Sequence, residues 1–151
     1  MLKKSKMHAG LFEVQDISVT DKKTAFTVIA STVASIMHVS RQEVLTSLIE
    51  REQAADTGLV AEVAIPHVIL KQRFSPWLCI FKSDKSIEDW NCLDGTKVTT
   101  LICLVAPSHL NRRDKQFAQI RQVINKLAED EVVIRISKTK TAKQLIDILT
   151  K

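Results

Sequence analysis

Two apolar runs, Trp77-Leu-Cys-Ile-Phe81 and Val98 to Ala106, constrain this chain most: both are too short for buried helices and read as buried strands. Asp94-Gly95 between them supplies the residue types of a turn. Around this pair the pattern changes to a helical period. Residues 21 to 38 carry Phe26, Ile29, Val33, Ile36 and Met37 on one face, with Thr20 as the expected N-cap. A second helix is expected from Ser40, whose spacing to Glu43 is that of a capping box, through Val44, Leu45, Leu48 and Ile49 to about Glu52.

After a polar stretch from Gln53 to Gly58 comes Val63-Ala-Ile-Pro-His67, where Pro66 forbids a helix interior and implies a strand end turning outward. Residues 115 to 128 place Phe117, Ile120, Val123, Ile124 and Leu127 on one face, which predicts a third helix. The β-branched run Val132-Val-Ile-Arg-Ile136 predicts another strand, and Thr141 with Gln144 repeats the capping-box spacing ahead of a last helix bearing Leu145, Ile148 and Leu149. Phe12 to Val19 adds an expected edge strand. The sum is an α/β domain in which helices cover a central sheet.

A length of 151 residues, 45% apolar and 26% charged, fits a single core with no linker or repeat. The expected organisation is a short tail, residues 1–10, and one domain, residues 11–151. Cys79, Cys92 and Cys103 are odd in number and lack the C-x-x-C spacing of a zinc or redox site, so they are expected as reduced thiols in a reducing compartment. The basic start, Met1-Leu-Lys-Lys-Ser-Lys-Met7, leads into polar residues instead of an apolar signal core, and no stretch reaches the ~20 apolar residues of a membrane span. A cytoplasmic protein without membrane insertion is expected. The net charge of +5 is dispersed among acidic residues, which reads as solvated surface and gives no nucleic-acid partner.

Of the four histidines, His67 has the setting for chemistry. It follows a strand-ending proline, so its ring is expected to project at the sheet edge from a stiff backbone. A neutral imidazole is a good nucleophile near neutral pH and carries a phosphoryl group reversibly. The competing reading is a plain strand-end residue.

Arg51-Glu52, Thr57-Gly58, Leu59 and Val63-Ala-Ile-Pro-His67 together resemble the active-site signature of the fructose/mannitol-type enzyme IIA domains of the bacterial sugar phosphotransferase system. The resemblance runs from about Leu11 through the stretch Trp90 to Val98. Stand-alone members of this length form the nitrogen-regulatory branch, and with no transporter domain in the sequence a regulatory use is the expected one. The resemblance implies a central mixed β-sheet of about five strands flanked by helices, like mannitol-type enzyme IIA. It implies His67 as the phosphorylation site, loaded by a histidine phosphocarrier protein. Arg51 would neutralise the phosphoryl oxygens, and Thr57 would offer a hydroxyl donor or else simply bond within its own loop. No metal or organic cofactor is required for such transfer. A transporter, kinase or other regulated protein would be the downstream partner.

The sequence departs from the family pattern at Val60, Ala61, Glu62 and Val68, where members have a glycine-rich approach and a small residue after the histidine. Side chains there are expected to crowd the phosphoryl group, and the Glu62 carboxylate to repel it if close. The second histidine of many members aligns with Gln116, with His109 a few residues upstream, and both are secondary candidates. Two rival readings remain: a docking domain of the same fold that takes no phosphate, and a helix-turn-helix DNA reader across Ala30 to Leu48, the latter opposed by Glu43, Glu50 and Glu52.

Overall fold

The computed structural model describes residues 10–150; the expected tail therefore lies, apart from Gly10, outside the described residues. Strand β1 (Phe12–Ile17) is followed by helices α1 (Lys22–Met37) and α2 (Arg41–Ala54). Then come β2 (Val63–Ala64), β3 (His67–Leu70) and the long hairpin strands β4 (Trp77–Asn91) and β5 (Lys97–Pro107). Helices α3 (Lys115–Lys126), α4 (Asp130–Ser137) and α5 (Ala142–Thr150) close the chain. The sheet order is β1-β4-β5-β2, with β3 also on β5, so β2 and β3 together form one interrupted edge. β1 runs parallel to β4, β4 antiparallel to β5, and β2 and β3 parallel to β5, which makes the expected mixed sheet of five strands.

Alternation along β4 shows why its first residues are apolar without a break. Cys79 and Phe81 enter a core with Phe26, Ile29 and Val33 of α1 and Val44 and Leu48 of α2. Leu78 and Ile80 enter a second core with Ile120 and Val123 of α3, Val133 and Ile136 of α4, and Leu145 and Leu149 of α5. A strand covered on both faces has no solvent side to mark with polar residues. All three cysteines are buried and none forms a disulfide, and burial pushes the Cys103 thiol far up, so it behaves as a small hydrophobe.

The caps follow the sequence with one shift. Ser40 Oγ accepts the Glu43 N–H at the start of α2. At α1 the N-cap is Asp21, not the expected Thr20: Asp21 Oδ1 accepts from the Thr24 N–H at 2.7 Å. At α5, Gln144 Oε1 accepts from the Thr141 and Lys140 N–H groups, the returning half of a capping box.

The expected strand Val132 to Ile136 is instead helix α4. A strand would bury alternate residues, yet here Val133 and Ile136 are buried while Ile134 is 46% exposed, a helical spacing of three. Asp130 and Glu131 in its first turn and Arg135 in its last suit the helix dipole, and burial of the Val133/Ile136 stripe outweighs the weak helix preference of β-branched residues.

Candidate functional site

The segment before His67 does not simply end a strand, as the sequence suggested; it breaks and resumes. Val63 and Ala64 pair with Thr100 and Leu101, and His67 pairs with Leu104, so the register on β5 is kept across the gap. The gap has a chemical cause. Pro66 has no N–H to give, and the Ile65 N–H turns away to the Thr57 carbonyl at 3.0 Å, while the Pro66 carbonyl still accepts from the Leu104 N–H at 2.9 Å. His67 thus opens β3 at the sheet edge, half-buried.

Helix α2 packs beside this edge. Ser47 on α2 accepts the Ile69 N–H through Oγ at 2.8 Å, which fixes helix to strand and which the sequence reading missed, since a helix serine gives no sign of its partner 22 residues on. One turn further, in the last turn of α2, Arg51 donates from Nε to His67 Nδ1 at 2.9 Å, and its terminal nitrogen donates to the Ala55 carbonyl at 3.2 Å. The sequence candidates Arg51 and His67 are therefore in direct contact. An acceptor Nδ1 belongs to the uncharged ring, whose proton then sits on Nε2.

Burial, and secondarily the Arg51 charge, hold the His67 pKa below its ordinary 6.5. The linkage sign is fixed by that direction. With a depressed folded pKa, the unfolded chain binds the extra proton first, so stability is full above pH 6.5 and declines as pH falls through the window down to the lower folded value. Urea unfolding at stepped pH is expected to show a shallower decline below pH 6.5 for His67→Gln than for the wild type; equal slopes would contradict it.

Thr57 is 6% exposed, and its hydroxyl donates to Glu52 Oε1 at 2.6 Å. Its proton is committed to that carboxylate. Glu52 Oε2 in turn holds Lys22 Nζ at 2.8 Å and faces the Thr57 N–H at 3.4 Å. Gly58 follows in a position that tolerates no side chain: a Cβ there would lie 2.3 Å from the Asn91 carbonyl oxygen. Gly58→Ala is expected to cost about 1–3 kcal/mol as backbone is forced apart; an unchanged urea midpoint would disprove the close approach.

Ala61 and Glu62 are locked onto the β-hairpin through their backbone. Ala61 and Glu62 take left-handed backbone angles, φ 52° and 69°. Asp94 Oδ2 accepts the Ala61 N–H, Thr96 Oγ1 accepts the Glu62 N–H, and the Glu62 carbonyl accepts from the Thr99 and Thr100 N–H groups. The Glu62 carboxylate accepts the Thr99 hydroxyl at 2.9 Å. The Glu62 carboxylate is thus held against the hairpin through the Thr99 hydroxyl. Val68 is fully buried in the first core, and Val60 packs against the second.

The secondary candidates lie elsewhere. His109 is exposed beyond the end of β5, its Nδ1 3.1 Å from Ser108 Oγ. Gln116 donates from Nε2 to the Gly10 and Pro76 carbonyls, both at 2.8 Å, and so ties the start of the described chain to the start of β4. Neither shares a hydrogen bond with His67 among the described residues. An open cleft of about 810 Å³ adjoins Arg51, with Ser47, Ile69, Lys71 and Ser108 in its wall. Among the described residues no three His, Cys, Asp or Glu side chains gather to hold a metal ion, and no helix is long and apolar enough to cross a membrane.

Comparison with known proteins agrees with this architecture. Nitrogen regulatory protein IIA-Ntr from Neisseria meningitidis superposes with a TM-score of 0.72 over 96% of this chain and 100% of its own, at 20% identity. The mannitol IIA of Escherichia coli gives 0.57 over 99% and 100%, at 17% identity. The fructose-specific EIIABC component of the phosphotransferase system from Mycoplasma pneumoniae is 26% identical over 108 residues, 72% of this chain and only 15% of that protein. The family described as "Phosphoenolpyruvate-dependent sugar phosphotransferase system, EIIA 2" matches residues 7–151. The mixed sheet, the helices on both of its faces and this match over nearly the whole sequence lead to one assignment: the chain belongs to the EIIA 2 family of the phosphotransferase system.

Proposed function

We propose that this chain is a phosphocarrier that accepts a phosphoryl group on His67 from a histidine phosphocarrier protein, and that it serves a regulatory role of the nitrogen type. The observation that carries the reading is the Arg51 Nε to His67 Nδ1 contact at the sheet edge, 2.9 Å long. It joins a nucleophile kept uncharged near neutral pH to a permanent cation. For Nε2 to attack, the ring proton moves to Nδ1, which opens the Arg51 contact and frees the guanidinium to face the incoming phosphoryl oxygens. The bond from Nε2 to phosphorus forms as the donor's phosphorus–nitrogen bond breaks, so nothing besides placement and charge is asked of the protein.

Onward, the phosphorylated and unphosphorylated forms would be told apart by a downstream protein. A IIA of this fold has been solved with its phosphorylated IIB partner, from the mannitol system of E. coli. Three buried cysteines with no disulfide among them fit a reducing cytoplasm as the compartment.

The test is label transfer from phosphoenolpyruvate through enzyme I and a histidine phosphocarrier protein. The wild type is expected to take up label and His67→Ala none. Equal label on both would overturn His67 as acceptor. No label on a folded wild type would leave the docking domain without phosphate as the reading of the fold.

A further inference from the structure

The structure points to Glu52 as the centre of a clamp that positions Arg51, and we propose that Glu52, Thr57 and Lys22 act together as positioning residues for the His67 site. In this role Thr57 does not touch phosphate; it holds the helix end that carries the arginine. The proposal rests on His67 as the acceptor, which it refines.

The contacts converge on one carboxylate. Glu52 Oε1 accepts the Thr57 hydroxyl at 2.6 Å, and Oε2 accepts from Lys22 Nζ at 2.8 Å and lies 3.4 Å from the Thr57 N–H. The Glu52 side chain is 11% exposed, so these are partly desolvated, charge-assisted bonds. They join three pieces of chain: the first residue of α1, the last turn of α2, and the loop that runs into β2.

Lys22 is itself held. Its N–H donates to Asp89 Oδ1 at 2.7 Å, and its Nζ lies 4.9 Å from the centroid of the Trp90 ring. Trp90 is fully buried and braced edge-on by Phe26. The base of the clamp is therefore anchored on the first core. On its far side the Thr57 carbonyl accepts the Ile65 N–H, two residues before His67.

The clamp thus fixes both ends of the Arg51 to His67 contact. Arg51 is the neighbour of Glu52 on the final turn of α2, where a helix would otherwise fray. Thr57 steadies the strand break from which His67 emerges. A guanidinium displaced by an ångström would still be charged but no longer aimed, and misplacement of that order costs up to a hundredfold in rate.

The experiment compares Thr57→Val, Thr57→Ser and the wild type by nuclear magnetic resonance and by label uptake. Valine keeps the shape of threonine and leaves the Glu52 charge in place while removing the hydroxyl donor; serine restores that donor. Thr57→Val is expected to speed solvent exchange of the Arg51 Nε–H by about tenfold or more and to slow label uptake by about tenfold. It is also expected to raise the His67 titration midpoint toward its ordinary value. Thr57→Ser is expected to restore all three. A Thr57→Val protein that is merely less stable, with Arg51 exchange and His67 titration as in the wild type, would overturn the proposal. So would failure of serine to restore them. Should Thr57→Val not fold, Glu52→Gln carries the same test through Arg51 Nε–H exchange. The exchange and titration readouts need no phosphoryl transfer. A wild type that takes no label while these readouts still shift would sink the phosphocarrier reading and leave the clamp standing.

Discussion

Arg51→Ala is expected to slow phosphoryl uptake by about a hundredfold to a thousandfold, the usual loss when one preorganised charge or donor facing a transferring group is removed. The size follows from geometry. The guanidinium sits at hydrogen-bond distance from the proposed acceptor ring, in a half-buried setting where a charge is weakly screened. The same substitution is expected to raise the His67 midpoint, because Arg51 is one of the two causes that depress it; burial, the larger cause, remains. Arg51→Lys should recover little of the rate. Lysine keeps the charge but lacks the planar fork of donors that can face two phosphoryl oxygens while the Ala55 carbonyl holds the side chain in place. Pre-steady-state label uptake would check this, and a rate within a few-fold of wild type for Arg51→Ala would contradict it.

Phe81→Ala is expected to cost about 3–5 kcal/mol, a large part of the ~5–15 kcal/mol that holds a domain of this kind together. Phe81 is fully buried in the first core, on a strand that has β1 on one side and β5 on the other. Its neighbours in the sheet are Gln15 and Leu101, and both adjoining strands fix the backbone, so the cavity left behind has little freedom to collapse. Ile134→Ala makes the contrasting control. Ile134 is 46% exposed on α4, and its loss should stay within about 0.5 kcal/mol. Urea unfolding of the two variants separates the cases, and similar costs for both would contradict the two-sided core.

What the sequence shows of this fold depends on whether a residue's partners are local. Helices α1 and α2 were readable because an apolar face repeats every three to four residues and Ser40 bonds three residues ahead. The hairpin was readable at its apolar ends. Its full extent was not: β4 continues from Phe81 to Asn91 through Lys82, Ser83, Asp84 and Lys85, with shifts of register on either side of Ile87, and such polar residues hide a strand. Helix α4 was hidden for the opposite reason, since Val132, Val133, Ile134 and Ile136 favour a strand locally and only packing against the other C-terminal helices and the sheet chooses the helix.

The site divides in the same way. Pro66 and His67 are adjacent in sequence, so a stiff, edge-placed histidine could be argued from the chain alone, and Arg51 entered with the motif. The role of Glu52 could not be read, because one of its partners is Lys22, thirty residues earlier on another helix. The left-handed angles at Ala61 and Glu62 were equally invisible: neither residue type favours them, and the bonds that impose them come from Asp94, Thr96, Thr99 and Thr100 on the hairpin. The bond that holds the Glu62 carboxylate, from the Thr99 hydroxyl, was likewise hidden, because its donor lies 37 residues on in the hairpin.

The most direct measurement is the position of the phosphoryl group itself. After loading from the phosphorylated carrier protein, the intact chain would be digested under alkaline conditions, which preserve a phosphorus–nitrogen bond, and mapped by tandem mass spectrometry. The expected result is a single acid-labile phosphate on the peptide containing His67. Phosphate on His109, on a hydroxyl side chain, or on no residue of a folded protein would contradict the account.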